Sequence, residues 1–148
     1  MRLSDPVSGI LKHKSSAVLT IAPTAAVYDA IAIMAENSVG ALLVVEDGRL
    51  TGILSERDYA RKVILEGRSS RTTAVAEIMT TPVIFVSPES QVGECMQIMT
   101  DQRIRHLPVM KGERLVGVVS IGDLVNHMLM AQRETIRHLE SYISGTPL

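Results

Sequence analysis

Short apolar runs alternate along this chain with longer stretches in which apolar residues recur every three or four positions. Residues 18–21, 41–45 and 50–54 are compact apolar runs rich in Val, Ile and Leu, and they predict strands. Residues 24–37 carry Ala, Ile and Met at helical spacing and predict a helix. Glu46-Asp47-Gly48-Arg49 separates two of the strands and predicts a hairpin turn, because Asp-Gly tolerates the positive φ such turns need. Residues 56–65 predict a second helix, with Gly67 as its C-terminal cap. The same order then returns: strand 84–86, helix 90–103, strand 107–110, a turn at 111–113, strand 115–119 and a helix beginning near Ile121. Short helical turns are expected ahead of each set, at 7–12 and 75–79.

The recurrence is one of residues as well as of pattern. Shifted by 65 positions, Pro23 to Asp58 falls on Pro88 to Asp123 without a gap, with 11 identical pairs in 36 positions. A long period present twice indicates a duplicated small domain rather than a solenoid. The expected fold is α/β (α+β), two pseudo-symmetric repeats of strand-helix-strand-strand-helix. The expected division is repeat 1 at 7–66, a polar linker at 67–74, repeat 2 at 75–130 and a C-terminal helical extension and tail at 131–148. The extension breaks the symmetry. Apolar spacing continues through Val125, Met128, Leu129, Gln132, Ile136, Leu139 and Ile143 before Gly145 and Pro147 supply stop signals.

Composition narrows the function. At 148 residues and 46% apolar, the chain supports a sizeable core, while each repeat alone is near the lower limit for a stable domain. A net charge of −1 and only 3% aromatic residues argue against nucleic acid as a partner. No apolar run approaches the ~18 residues of a membrane span, and Met1-Arg2-Leu3-Ser4-Asp5-Pro6 has no signal-peptide core. A cytoplasmic protein is expected. Cys95 is the single cysteine, aligned with Ala30, and is expected to be a buried small residue. The histidines His13, His106, His127 and His138 show no metal-ligand spacing, so no metal is expected. Nor does any nucleophile, base and orienting group assemble, which argues against catalysis.

The candidate chemistry lies in a motif present in both repeats: Gly52-Ile-Leu-Ser55-Glu-Arg-Asp58 and Gly117-Val-Val-Ser120-Ile-Gly-Asp123. Ser-x-x-Asp at a strand-to-helix junction describes a capping box. The same geometry describes a ribonucleotide clamp. A helix N-terminus with a Ser hydroxyl suits a phosphate, and an Asp carboxylate accepts hydrogen bonds from the vicinal hydroxyls of a ribose.

With this motif, and with Val75-Ala-Glu-Ile-Met-Thr80 and Arg105-His-Leu-Pro-Val109, the chain resembles a pair of CBS domains, the tandem called a Bateman module. The resemblance runs from about Val7 to Met130. It implies a stand-alone, non-catalytic regulatory module that binds AMP, ADP, ATP, NAD(H) or S-adenosylmethionine in clefts between the repeats and signals to a separate protein. By position it implies Asp58 and Asp123 for ribose and Ser55 and Ser120 for phosphate. For adenine it implies Val39-Gly40-Ala41 in the Asp123 cleft and Ile104-Arg105 in the Asp58 cleft, bordered by Ser16 and Thr81. Arg105 and His106 stand where repeat 1 has Gly40 and Ala41, which equips the Asp123 cleft better for phosphate. Arg57, Arg61 and Lys62 are expected on a solvated helix face. The alternatives are a nucleotide-metabolising enzyme using the same cleft and a nucleic-acid-binding CBS protein. A homodimer is expected, built on helices and including the extension, because helix 24–37 is apolar nearly all round.

Overall fold

The computed structural model describes residues 2–14 and 18–144. A 3₁₀ turn at Arg2–Ser4 leads into α1 (Ser8–His13), β1 (Thr20–Ile21), α2 (Val27–Asn37), β2 (Ala41–Glu46) and β3 (Arg49–Ser55). Then come α3 (Glu56–Tyr59), which continues as a π-helical turn at Ala60–Ile64, and α4 (Val75–Ile78). The second half holds α5 (Val92–Gln102), β4 (His106–Lys111), β5 (Arg114–Ser120) and the 24-residue α6 (Ile121–Ser144).

Two compact units result, and neither is a continuous stretch of chain. One contains 17–85 with 110–116; the other contains 1–16, 86–109 and 117–148. In the first, β1 pairs parallel to β2, Ile21 opposite Val44, and β2 pairs antiparallel to β3, Ala41 opposite Ser55. The core on this sheet is Ile21, Val27, Ala30, Met34, Leu42, Val44, Leu54, Val63, Val75 and Ile78. Shifted by 65, seven of these become Val86, Val92, Cys95, Met99, Leu107, Val109 and Val119, all buried in the second unit. The repeat in sequence is thus a repeat of core positions, and each Val, Leu, Ile or Met among them contributes roughly 1.5–3 kcal/mol when fully buried.

The short helices ahead of each repeat keep a different offset. The N–H groups of Val75 and Ala76 donate to the carbonyls of Ala25 and Pro23, and those of Val7 and Ser8 donate to Ser90 and Pro88. Val75 therefore corresponds to Val7, 68 residues apart, and both are fully buried. Three extra residues lie between these helices and the gap-free alignment, which is why the alignment begins only at Pro23.

The hairpin turns reach one shape by two routes. Asp47 and Gly48 have φ of +51° and +76°, the type I′ pattern, whereas in the second turn Gly112 alone is positive, at +63°. Gly67, with φ +68°, ends the π-helical turn as a C-terminal cap, its N–H donating to Ile64.

Two elements differ from expectation. The strand expected at 84–86 shrinks to one parallel bridge, Val86 to Val109. In the first repeat the N–H of Leu43 donates to Leu19. Its counterpart is Pro108, which has no N–H to give, so that rung of the ladder is lost. The helix expected from residue 24 begins at Val27, because Ala26 is extended (φ −72°, ψ 143°) and makes a single bridge to Ala74. The continuous helix through the extension is present as expected; Gly145 and Pro147 lie outside the described residues.

Candidate functional site

Both Gly-x-x-Ser-x-x-Asp motifs fold as strand-to-helix junctions with reciprocal caps. In the first, Ser55 closes β3 in an extended conformation and its hydroxyl accepts from the Asp58 N–H at 3.1 Å. The Asp58 carboxylate reaches back to accept from the Ser55 N–H at 3.0 Å. In the second, the Asp123 N–H donates to the Ser120 hydroxyl at 3.1 Å and the Ser120 N–H donates to Asp123 Oδ2 at 2.8 Å. The capping reading therefore holds at both copies, and it fixes each Ser hydroxyl and Asp carboxylate at the mouth of a helix.

The loops expected to line adenine meet these junctions from their own repeats. The Glu56 N–H donates to the Gly40 carbonyl at 3.0 Å, and the Ile121 N–H donates to the Arg105 carbonyl at 2.8 Å. Ala41 is the ladder partner of Ser55. Val39 and Ile104 are half-buried just before β2 and β4, His106 is half-buried at the start of β4, and the Arg105 side chain is exposed. Thr81 is exposed, and Ser16 lies outside the described residues.

Each aspartate carries a lysine that sequence reasoning did not assign to it. Lys62, expected on a solvated face and 44% exposed at its side chain, also places its ammonium 3.1 Å from Asp58 Oδ1 and donates to the Ile78 carbonyl at 2.9 Å. Its spacing from Asp58 is i, i+4, a helix-neighbour signal that was available in the sequence. Thr80 adds hydroxyl contacts of 3.2 and 3.3 Å to the two Asp58 oxygens. In the second repeat the position of Lys62 is held by His127, which turns away to Asp5 at 2.9 Å. The cation comes instead from Lys14, just past α1, which bonds Asp123 Oδ2 and the Val118 carbonyl, each at 2.9 Å. No sequence signal links residues 109 positions apart.

The two carboxylates differ in what they have left to offer. The Asp58 side chain is 13% exposed and both its oxygens are bonded; the Asp123 side chain is 26% exposed, and among the described residues its bonds all fall on Oδ2. Burial by itself raises the Asp123 carboxyl, but the bonds from Lys14 and Ser120 outweigh it and hold the group below the ordinary carboxylate value. A groove of about 740 Å³ opens along α1 and α6, with Lys14 and Asp123 in its wall.

The motif glycines also have a packing reason. A Cβ on Gly52 would lie 2.5 Å from the sulfur of Met79, and one on Gly117 would lie 2.7 Å from Leu11 Cδ2. Met79 and Leu11 correspond under the 68-residue offset, so the same close approach is built twice. Among the described residues, no group of three or more His, Cys, Asp or Glu converges as metal ligands would, and no helix is long and apolar enough to cross a membrane.

The family model for the CBS domain matches residues 7–65 and 75–130. The chain belongs to the CBS-domain family. Among CBS relatives, the mitochondrial CBS domain-containing protein CBSX3 of Arabidopsis thaliana is 44% identical over 151 residues, spanning 96% of this chain and 73% of that protein. YhcV of Bacillus subtilis (strain 168) is 35% identical over 123 residues, spanning 82% of this chain and 87% of YhcV. A solved CBS-domain protein from Burkholderia ambifaria MC40-6 superposes with a TM-score of 0.84 at 49% identity, covering 86% of this chain and 96% of that one. CBS pairs in general bind adenosine-containing ligands, and stand-alone CBS proteins are in general regulatory rather than catalytic.

Proposed function

We propose that this CBS pair is a non-catalytic sensor of an adenine nucleotide (AMP, ADP, ATP or NAD(H), with S-adenosylmethionine as the other adenosine ligand) that signals to a separate regulated protein. The supporting observation is the Asp123 junction: a capped helix start with a fixed Ser120 hydroxyl, a carboxylate with Oδ1 unengaged among the described residues, and the Lys14 ammonium on the other oxygen. Ribose hydroxyls donate to the carboxylate, and Lys14, released from Asp123, has the reach and charge to follow a phosphate. Ser55 and Asp58 form the sister site, where Lys62 and Thr80 must give way first. Val39, Gly40, Ala41 and Ile104 are proposed for adenine, Thr81 and Ser16 for the border, and Arg105 and His106 for phosphate.

Ligand alters the output only by favouring one conformation of the module over another. The proposed assembly is a homodimer, and the proposed compartment is the cytoplasm. Calorimetric titration with each of these ligands, followed by chromatography of the recovered nucleotide, tests the reading. Saturable binding with the nucleotide recovered intact supports it; turnover would establish the enzyme alternative instead.

A further inference from the structure

Five of the exposed apolar residues of α6, together with Gln132, fall on a strict heptad, while exposed Met130 and Tyr142 lie beside it. Val125, Leu129, Gln132, Ile136, Leu139 and Ile143 are spaced 4, 3, 4, 3 and 4 residues apart, which is the a/d seam of a coiled coil. All six are exposed, with Ile136, Leu139 and Ile143 at 55, 58 and 83%. A solvent-facing helix gains nothing from this spacing. A partner helix does, because the 3.5-residue period keeps one stripe facing it.

The charges beside the seam select the direction of that partner. With Ile136 at position a, Arg133 and Glu140 both take position e, and both are exposed. In a parallel pair, position e faces position g. Arg133 would face Met128 and Glu140 would face Thr135, with no opposite charge in either contact. In an antiparallel pair, e faces e. Setting Ile136 against Leu139 of the second helix then brings Arg133 against Glu140, twice by symmetry. The same register sets Gln132 against Ile143, the outermost layers, where the Gln amide reaches water. The two central layers are wholly apolar. Apolar centre and polar rim are what a helix interface requires.

We propose that the C-terminal half of α6 is the docking surface for a second copy of this chain, as an antiparallel coiled coil over residues 132–143 with reciprocal Arg133–Glu140 ion pairs. This rests on the homodimer reading and specifies which helix face, direction and register join the copies. It also accounts for a helix that runs about 36 Å at 1.5 Å per residue, well past the end of the CBS match at residue 130.

Cysteine pairs test direction. Cys95 is fully buried, so introduced surface cysteines are read against a quiet background. Full-length Gln132→Cys and Ile143→Cys chains are mixed and oxidised with copper phenanthroline. The antiparallel register gives the 132–143 cross-link between the two chains and almost none within either variant alone. A 132–132 cross-link from the single variant would show a parallel pair and overturn the proposal. A dimer by light scattering that gives neither cross-link would overturn the seam while leaving the dimer standing; a 16.1 kDa monomer at micromolar concentration would overturn both. Charge exchange provides a second readout. Arg133→Glu and Glu140→Arg each weaken the dimer severalfold, and the double exchange restores it. Absence of that restoration contradicts the ion pairs.

Discussion

The ammonium of Lys14 sits 2.9 Å from Asp123 Oδ2, so the end of α1 is tied to the Gly-x-x-Ser-x-x-Asp motif of the second repeat across 109 residues. The contact lies inside one compact unit, because α1 clusters with 86–109 and 117–144 rather than with the repeat that follows it in sequence. Asp123 is thus part of the fold as well as of the proposed site.

That tie predicts an acid response. Burial raises the Asp123 carboxyl, and the Lys14 and Ser120 bonds more than reverse this, leaving the folded value below the ordinary 3.8. A depressed carboxyl contributes stability that is fully present well above 3.8 and is lost as pH falls through 3.8 to the lower folded value. Lys14→Met removes the main lowering bond, so its stability should fall less steeply than the wild type's between about pH 5 and pH 3. Urea unfolding at several pH values measures the slope. Parallel wild-type and variant curves would show that the contact carries no net linkage.

Gly52→Ala should destabilise the fold by roughly 1–3 kcal/mol, because its Cβ would overlap the Met79 side chain. At this chain length that is a drop of roughly 2–4 °C in Tm per kcal/mol. Met79→Ala in the same chain should recover part of the loss by opening the space. Additive losses in the double variant would contradict the packing account of the motif glycine.

Much of this architecture was legible in the sequence. The gap-free identity from Pro23 to Asp58 marked the duplicated core, and Val27, Met34, Leu42 and Val44 are buried with their shifted partners. Asp47-Gly48 announced the hairpin, and the exposed seam from Ile136 to Ile143 was visible as spacing. The losses have local causes. Pro108 removed a strand that its apolar neighbours suggested, since composition does not report which N–H a parallel ladder needs. The short helices at 7–12 and 75–79 were legible as a pair, but the packing of Leu11 and Met79 on the motif glycines was not, because the 68-residue offset sets them outside the gap-free alignment. Lys14 escaped notice because its partner is distant in sequence, and Lys62 because a charged helix residue usually faces water.

Cys95 should be inert in the native protein. Burial, with a smaller push from Glu94, raises its thiol to about 11, and the side chain is fully enclosed. Iodoacetamide at pH 8 should label it slowly in buffer and rapidly in urea, as read by intact mass. Equal rates would mean that α5 opens readily.

The two ligand sites should be unequal. Asp123→Ala should weaken AMP binding at the tighter site by roughly 10- to 100-fold, the scale of a lost charge-assisted contact. Asp58→Ala should leave that site nearly intact, because Asp58 is already engaged by Ser55, Thr80 and Lys62. Equal losses from the two changes would contradict the asymmetry. The Asp123→Ala protein also loses the reciprocal arm of its capping box, the bond from the Ser120 N–H, so its Tm should be recorded beside its affinity.

This CBS pair is proposed to hold an adenine nucleotide at its Ser–Asp junctions. Calorimetric titration of AMP into the wild type and into the Asp58→Ala, Asp123→Ala double variant tests it most directly. The wild type should bind saturably and tighter than about 1 mM, a threshold near −4 kcal/mol, and a double variant that remains folded by circular dichroism should give no binding heat. An unchanged isotherm in the double variant, or no binding by the wild type, would contradict it.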